Sequence, residues 1–333
     1  MSEECCTIDF ETEAIRPRPA YPPVPVGVSI RYPTGKFQYL AWGHPIENNC
    51  DKETARSILE NIWSSARHSL IFHNSKFDLD VAETHLGLAM PPWYKIHDTL
   101  YLLFLFNPHA LSRSLKQAAQ SVLGMPPDEQ EELRDWVLDN VPGAKNRKTR
   151  WEEHIAKAPG RLVGKYANGD SHRTFKLFQH CHKYVREMDM LSAYDRERKV
   201  MPILLKNERQ GIRVDLKRLE QDVVIYESEF NRVSRCLEKR LQVPLEIDSE
   251  DLNLDSDRQV ADRLDHLGIV DDWVLTSSGQ KSMAKNNLTI DMFKDRKVAL
   301  AYAYRTRLGT CLSTFMDNWL NMAYETDGII HTN

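Results

Sequence analysis

Three short β-rich runs, Cys5–Phe10, Val26–Arg31 and Phe37–Trp42, crowd into the first 42 residues with only Pro- and Gly-bearing turns between them. Runs this close, with no helical stretch to carry a crossover, pair as antiparallel neighbours. The pattern then changes. Asp51–Ala66 places Ala55, Ile58, Leu59 and Ile62 at helix spacing, Ser69–His73 reads as a fourth strand and Lys76–Leu86 as a helix. Lys95–His97 is a short fifth strand leading into Leu100–Phe106. Three antiparallel strands followed by parallel βα units predict an α/β fold, a mixed sheet with helices on both faces. Arg113–Leu123 is a further helix, closed by Gly124 and the Pro126-Pro127 break. Asp128–Gly160 reads as polar and irregular, with Trp136 and Trp151 as isolated anchors, and helix resumes near Arg161 and runs with breaks to about Met190. The Pro-rich segment Arg16–Pro25 offers no assignable role.

After about Asp195 the periodicity lengthens. Leu216, Leu219, Val223, Tyr226, Phe230, Val233 and Leu237 recur at spacings of three and four, a heptad-like seam. Asp291–Tyr324 is a second long helical stretch. Between them Ser256-x-x-Gln259 predicts a capping box opening a short helix through Leu267, which Gly268 ends. The chain thus divides into an α/β part, residues 1–195, and an α-helical, arm-like part, residues 196–333.

Composition narrows the function. No run approaches the roughly 18 apolar residues of a membrane helix; the longest patch, Leu100–Phe106, is far shorter. The opening residues Ser2, Glu3 and Glu4 carry no secretory signal. The expected location is therefore the cytoplasm, or the host cytoplasm for a viral source, with no membrane partner. The six cysteines include no C-x-x-C pair and read as reduced thiols. His180-Cys181-His182 cannot close around one zinc, because consecutive helical residues point in different directions. A net charge of −4 argues against gripping nucleic acid by bulk charge, although it leaves a nuclease open, since catalytic carboxylates are acidic themselves. Charge is uneven: Arg196–Arg240 holds twelve Lys/Arg against eight Asp/Glu, a local +4, and Lys145–Arg150 is a basic run that suits either a solvated surface or a phosphate contact.

The candidate chemistry lies in three places. Asp9 and Glu11 stand two apart at the end of the first strand, so both carboxylates project from one face. Two such anions repel unless a cation separates them, and hard divalent ions take oxygen ligands. Asp78 follows the fourth strand in the first turn of a helix that Asn74 or Ser75 can cap, near the sheet end that carries Asp9. Asp80 is rotated about 200° from Asp78 and is expected only to favour the helix dipole. Tyr166 and Asp170 stack at i and i+4 on one helical face, with Gly169 an unfavourable helical residue between them.

Together, Asp9, Glu11, Asp78, Tyr166 and Asp170 in this order resemble the DEDD exonuclease superfamily in its tyrosine form. Thr7-Ile-Asp-Phe-Glu-Thr12, His73-Asn-x-x-Phe-Asp78 and Tyr166-Ala-x-x-Asp170 are similar to its three motifs, and Asp98-Thr-Leu with Leu115–Gly124 to the segment between the second and third. The resemblance implies a ribonuclease H-like domain that hydrolyses phosphodiesters from 3′ ends with two Mg²⁺ or Mn²⁺ ions. Asp9 would bridge the ions, Glu11 and Asp170 would complete the site that activates water, Tyr166 would orient that water, and Asp78 would support the second ion. Phe10, Asn74 and Phe77 would contact the terminal nucleotides.

The second part resembles the thumb of family A, polymerase I-type, DNA polymerases of phage-like build. Asn207–Asp215, Leu252–Ile269, Thr276–Lys281, Tyr304–Leu308 and Asp327–Asn333 are similar to its successive segments. Ser277, Ser278, Lys281 and Lys285 would meet the duplex backbone. The chain stops where palm and fingers are expected, so it would edit single-stranded or frayed 3′ ends, as a monomer bound to primer-template, without synthesising DNA itself. The alternatives are a stand-alone exoribonuclease of the ribonuclease D type and a non-catalytic DNA-end binding module.

Overall fold

Strand β1 (Glu4–Thr12) is the central strand of a five-stranded sheet ordered β3-β2-β1-β4-β5. It pairs antiparallel with β2 (Pro25–Arg31), which pairs antiparallel with β3 (Phe37–Ala41). On its other side it pairs parallel with β4 (His68–Phe72), which pairs parallel with β5 (Ile96–Asp98). The computed structural model describes residues 4–127, 129–145, 150–241 and 252–331. Within them the chain forms two units, the first running to Gln210 and the second from Gly211 to His331. Residues 146–149 of the basic run, and 332–333, lie outside the described residues.

Alternation along β1 sorts its two faces. Cys6, Ile8 and Phe10 enter a core with Leu59 and Trp63 of α1 (Lys52–Ser64) and Leu79 and Val81 of α2 (Ser75–Leu86). The opposite face, Thr7, Asp9 and Glu11, lies on the side of α6 (Gly160–Glu187), which packs on β1, β2 and β3. Nearer the parallel edge, α3 (Thr99–Phe106) and α4 (Leu115–Leu123) close a second core around Leu177, Phe178 and Cys181. The mixed sheet with helices on both faces is as the sequence predicts. His180, Cys181 and His182 face separate neighbours: His180 meets the edge of Phe106, Cys181 is buried in this second core, and His182 stacks on Phe178.

Two expectations change. The stretch from Asp128 is not irregular: Glu129–Asn140 is helix α5, and Trp151–Lys157 is a 3₁₀ turn. Leu133, Val137 and Val141, spaced by four, form a buried stripe against Ile155, Val163 and Tyr166, with Trp136 and Trp151 packed on the same cluster. Three apolar positions spread among acidic residues concealed that stripe. Helix α6 is also unbroken over 28 residues; its packing on the sheet outweighs the local cost of its glycines. Two of those glycines permit the close crossing. A Cβ at Gly164 would stand 2.8 Å from Tyr39 Cδ1, and one at Gly160 would stand 2.6 Å from the Glu47 carbonyl. Helix α7 (Leu191–Gln210) completes the first unit.

In the second unit a short ladder of β6 (Ile212–Arg213) and β7 (Ile329–Ile330) accompanies helices α8 (Leu216–Leu241), α9 (Asp257–His266), α10 (Arg296–Thr310) and α11 (Asp317–Glu325). One turn of π-helix, Cys311–Met316, joins the last two. Val223, Val233 and Leu237 of the predicted seam are buried, against Leu308, Leu312 and Met316. Ser256 caps α9 by accepting from the Gln259 N–H, but the box is half made, because Gln259 Oε1 accepts from the Asn253 N–H instead.

Candidate active site

The site forms where β1, the start of α2 and the middle of α6 meet. Asp9 and Glu11 come from β1, and Asp9 lies opposite Ser29 of β2. Ser29 Oγ donates to Asn168 Oδ1 at 2.8 Å and accepts from Ser171 Oγ at 2.9 Å. This polar seam pins α6 to the sheet on either side of Asp170. Asp78 reaches β1 directly: its Oδ1 accepts the backbone N–H of Phe10 at 3.0 Å.

The turn that delivers Asp78 is held by Asp98, a residue outside the predicted site. Its carboxylate accepts from the N–H groups of Asn74 (3.1 Å), Ser75 (2.7 Å) and Leu100 (2.8 Å), and from Ser75 Oγ (2.7 Å). The side-chain cap that Asn74 or Ser75 could supply to α2 is not made by Asn74, which occupies a left-handed conformation, φ 68°, with its exposed side chain making no cap bond. Asp80 also departs from expectation. Rather than resting on the helix dipole, it is fully buried between Arg18 Nη2 and Arg209 Nε, both at 2.7 Å. The Pro-rich segment thereby acquires a structural role, since Arg18 belongs to it and Tyr21 lays its ring against Phe77.

On α6, Tyr166 and Asp170 share a partner that sequence reasoning missed. Lys116 Nζ, from α4, donates to Tyr166 Oη at 2.6 Å and stands 3.3 Å from Asp170 Oδ2. The available signal was a lysine beside the inward stripe of α4, where Ala118 and Ala119 are buried and Leu115 packs on the core. Asp170 Oδ1 accepts no hydrogen bond among the described residues; Arg173 Nη1 is 3.5 Å away.

These carboxylates raise one another's pKa. Burial pushes Asp9 up, Asp170 adds to the rise, and Lys116 opposes it. Glu11 is driven well above the usual carboxylate range by burial and then by Asp9 and Asp170, again against Lys116. Burial and the charge of Asp9 raise Asp78, while the Phe10 N–H pulls it back. Burial also raises Asp170 and, more strongly, the Tyr166 phenol, whose rise Asp170 increases. Four crowded carboxylates facing one ammonium and one guanidinium leave an excess of negative charge and hard oxygen donors. That donor set fits divalent cations of the Mg²⁺ type, although among the described residues no three His, Cys, Asp or Glu side chains close around a single point as they stand.

Beside Glu11 a cavity of about 400 Å³ is lined by Phe10, Ile15, Phe77 and Arg150. Phe10 is largely a core residue and Phe77 is half-buried. The remaining predicted contacts belong to the second unit. There a tight turn with Gly279 at φ +78° exposes Ser277 and Ser278, and Lys285 beyond it is exposed, whereas Lys281 Nζ is engaged by Asp262 (3.2 Å) and Asp265 (2.8 Å).

Residues 2–186 match the family model described as 3′–5′ exonuclease. The DNA polymerase of Escherichia phage T5 is 25% identical over 332 residues, covering 97% of this chain and 37% of that protein. The DNA polymerase DpoZ of Vibrio phage phiVC8 is 29% identical over 208 residues, 59% of this chain and 31% of its own length. The chain thus spans about a third of the length of these relatives. Among solved structures, the POL domain of Pol1 from M. smegmatis in complex with DNA primer-template and dNTP aligns with a TM-score of 0.63 at 17% identity, over 99% of this chain and 48% of that one. That likeness establishes the fold.

Proposed function

Since the chain belongs to the 3′–5′ exonuclease family, we propose that its carboxylate cluster removes nucleotides from 3′ DNA ends as the editing part of a family A DNA polymerase. The observation that carries this reading is the convergence of Asp9, Glu11, Asp78 and Asp170 beside the Tyr166 phenol. Asp9, Glu11 and Asp170 would hold one Mg²⁺, and Asp9 with Asp78 a second. Bound there, such ions supply positive charge that favours hydroxide over water and stabilises a departing 3′ oxygen.

The chain's own groups do the rest. Asp78 anchors on the Phe10 backbone, so its carboxylate keeps one oxygen directed away from that bond. Tyr166, raised far above neutrality, stays protonated and offers a hydroxyl that can orient a water without taking its proton. The adjoining cavity can seat a terminal nucleotide, with Phe10 and Phe77 as apolar walls and Arg150 as a phosphate partner. The helical unit is read as a thumb, its exposed Ser277, Ser278 and Lys285 suited to a duplex backbone. The exonuclease part is read as residues 1–195 and the thumb as residues 196–333.

The test is digestion of 5′-labelled single-stranded DNA and RNA with Mg²⁺, with EDTA and Asp9→Ala as controls. A metal-dependent ladder shortening from the 3′ end of DNA, with RNA spared, is expected. Wild-type digestion by Asp9→Ala would overturn the site assignment, and a preference for RNA would overturn the substrate.

A further inference from the structure

We propose that Lys116 is the resident counter-cation of the carboxylate cluster, holding it together without metal and competing with divalent ions for it. The argument rests on placement. Lys116 Nζ contacts both functional groups of α6, Tyr166 Oη at 2.6 Å and Asp170 Oδ2 at 3.3 Å, and lies 4.1 Å from the Tyr166 ring centroid. Its charge also opposes the burial and carboxylate repulsion that raise Asp9 and Glu11 and the burial that raises Asp170.

The second nearby cation cannot serve in this way. Arg173 Nη2 donates to the Pro126 carbonyl at 2.6 Å, and its side chain is 4% exposed, so its planar group is fixed in place. Lys116 carries a flexible four-carbon stem and keeps 22% of its side chain exposed. It can therefore occupy the cluster when the cluster is empty and withdraw toward solvent when stronger cations arrive. An ammonium and a divalent ion contesting the same oxygens must each weaken the other's hold.

The competition rests on the metal reading above, whereas the counter-cation role does not, and the experiment separates them. In EDTA, denaturation midpoints are compared for wild type, Lys116→Met, Asp170→Asn and the double variant. Lys116→Met should lower the midpoint in the wild-type background and clearly less in the Asp170→Asn background. Equal losses in both would overturn the counter-cation role, because a purely packing role would not depend on Asp170. Mn²⁺ binding, followed by its paramagnetic resonance signal, should then be several-fold tighter for Lys116→Met, with Lys116→Arg no tighter than wild type. Unchanged or weaker binding by Lys116→Met would overturn the competition. If wild type bound no Mn²⁺, the metal reading and the competition would both fall, while the cycle in EDTA would still decide the counter-cation role.

Discussion

Asp78 accepts the backbone N–H of Phe10 across 3.0 Å, so the second carboxylate motif is fastened to the strand that carries the first. Asparagine at position 78 retains an oxygen for that bond; alanine leaves the N–H buried and unsatisfied. Asp78→Ala is therefore expected to be less stable than Asp78→Asn by about 1–3 kcal/mol, measured by urea denaturation in EDTA. Both should digest DNA at least about 10–100-fold more slowly, the loss that removing even an outer partner of a bound metal brings. Equal stability of the two variants would show that the bond does not matter.

Tyr166 touches Lys116 through its hydroxyl and the Trp151 ring at its side. Tyr166→Phe keeps the packing and removes only the hydroxyl. The turnover rate should fall by about 10²-fold, the low end for a group that positions a proton or water, with KM for a single-stranded DNA substrate little changed. A wild-type turnover rate would remove the phenol from the mechanism.

How much of this was legible in the sequence follows from what kind of signal each residue gives. The sheet and the placement of Asp9, Glu11, Tyr166 and Asp170 were readable because strand alternation and i,i+4 stacking are local rules, which these residues obey. Lys116, Asp98 and the two arginines around Asp80 were not, because each reaches partners 23 to 129 residues away in sequence. No local period encodes such a pairing. Helix α5 was missed for a different reason: Leu133, Val137 and Val141 are a sparse stripe in a polar segment, stabilised by partners on α6.

Asp80, with 1% of its side chain exposed, binds Arg18 and Arg209 at once. Asp80→Ala would leave two inward guanidinium groups without that carboxylate. The loss should lie toward the lower end of the ~3–5 kcal/mol that breaking a buried pair costs, because Arg209 keeps 30% of its side chain in solvent. The digestion rate per folded molecule should hold, since Asp80 makes no contact with the carboxylate cluster. Chemical denaturation and active-site titration check this together; a stable but inactive variant would refute the structural role.

Gly164 sits where α6 crosses β3, and a methyl there would lie 2.8 Å from the buried Tyr39 ring. Gly164→Ala should cost about 1–3 kcal/mol by overpacking. It should also slow digestion, because α6 carries Tyr166 two residues and Asp170 six residues further on. Gly164→Ala combined with Tyr39→Phe would not relieve the clash, whereas combination with Tyr39→Leu should restore part of both. Full activity in Gly164→Ala alone would mean that the crossing has slack.

His44 links the same region to pH. It is buried, with Nδ1 donating to the Ala158 carbonyl at 3.0 Å and Nε2 facing Tyr39 Oη at 2.8 Å, just ahead of the start of α6. Burial lowers its pKa, and the carbonyls of Ala158 and Ala156 restore only part of that. The neutral ring accepts from the Tyr39 hydroxyl; a protonated ring would present two donors and lose that arrangement. The unfolded chain thus takes up the proton first, near the ordinary value of about 6.5. His44 contributes stability that is present above that pH and is lost as pH falls from there through the lowered folded value. Against His44→Gln, which cannot titrate, the wild-type advantage in urea denaturation should shrink between pH 7.5 and pH 5.5 (values about one unit either side of that pKa). An advantage that stayed constant would mean that His44 titrates alike in the folded and unfolded chain, and one that grew on acidification would mean that the folded protein favours the charged ring.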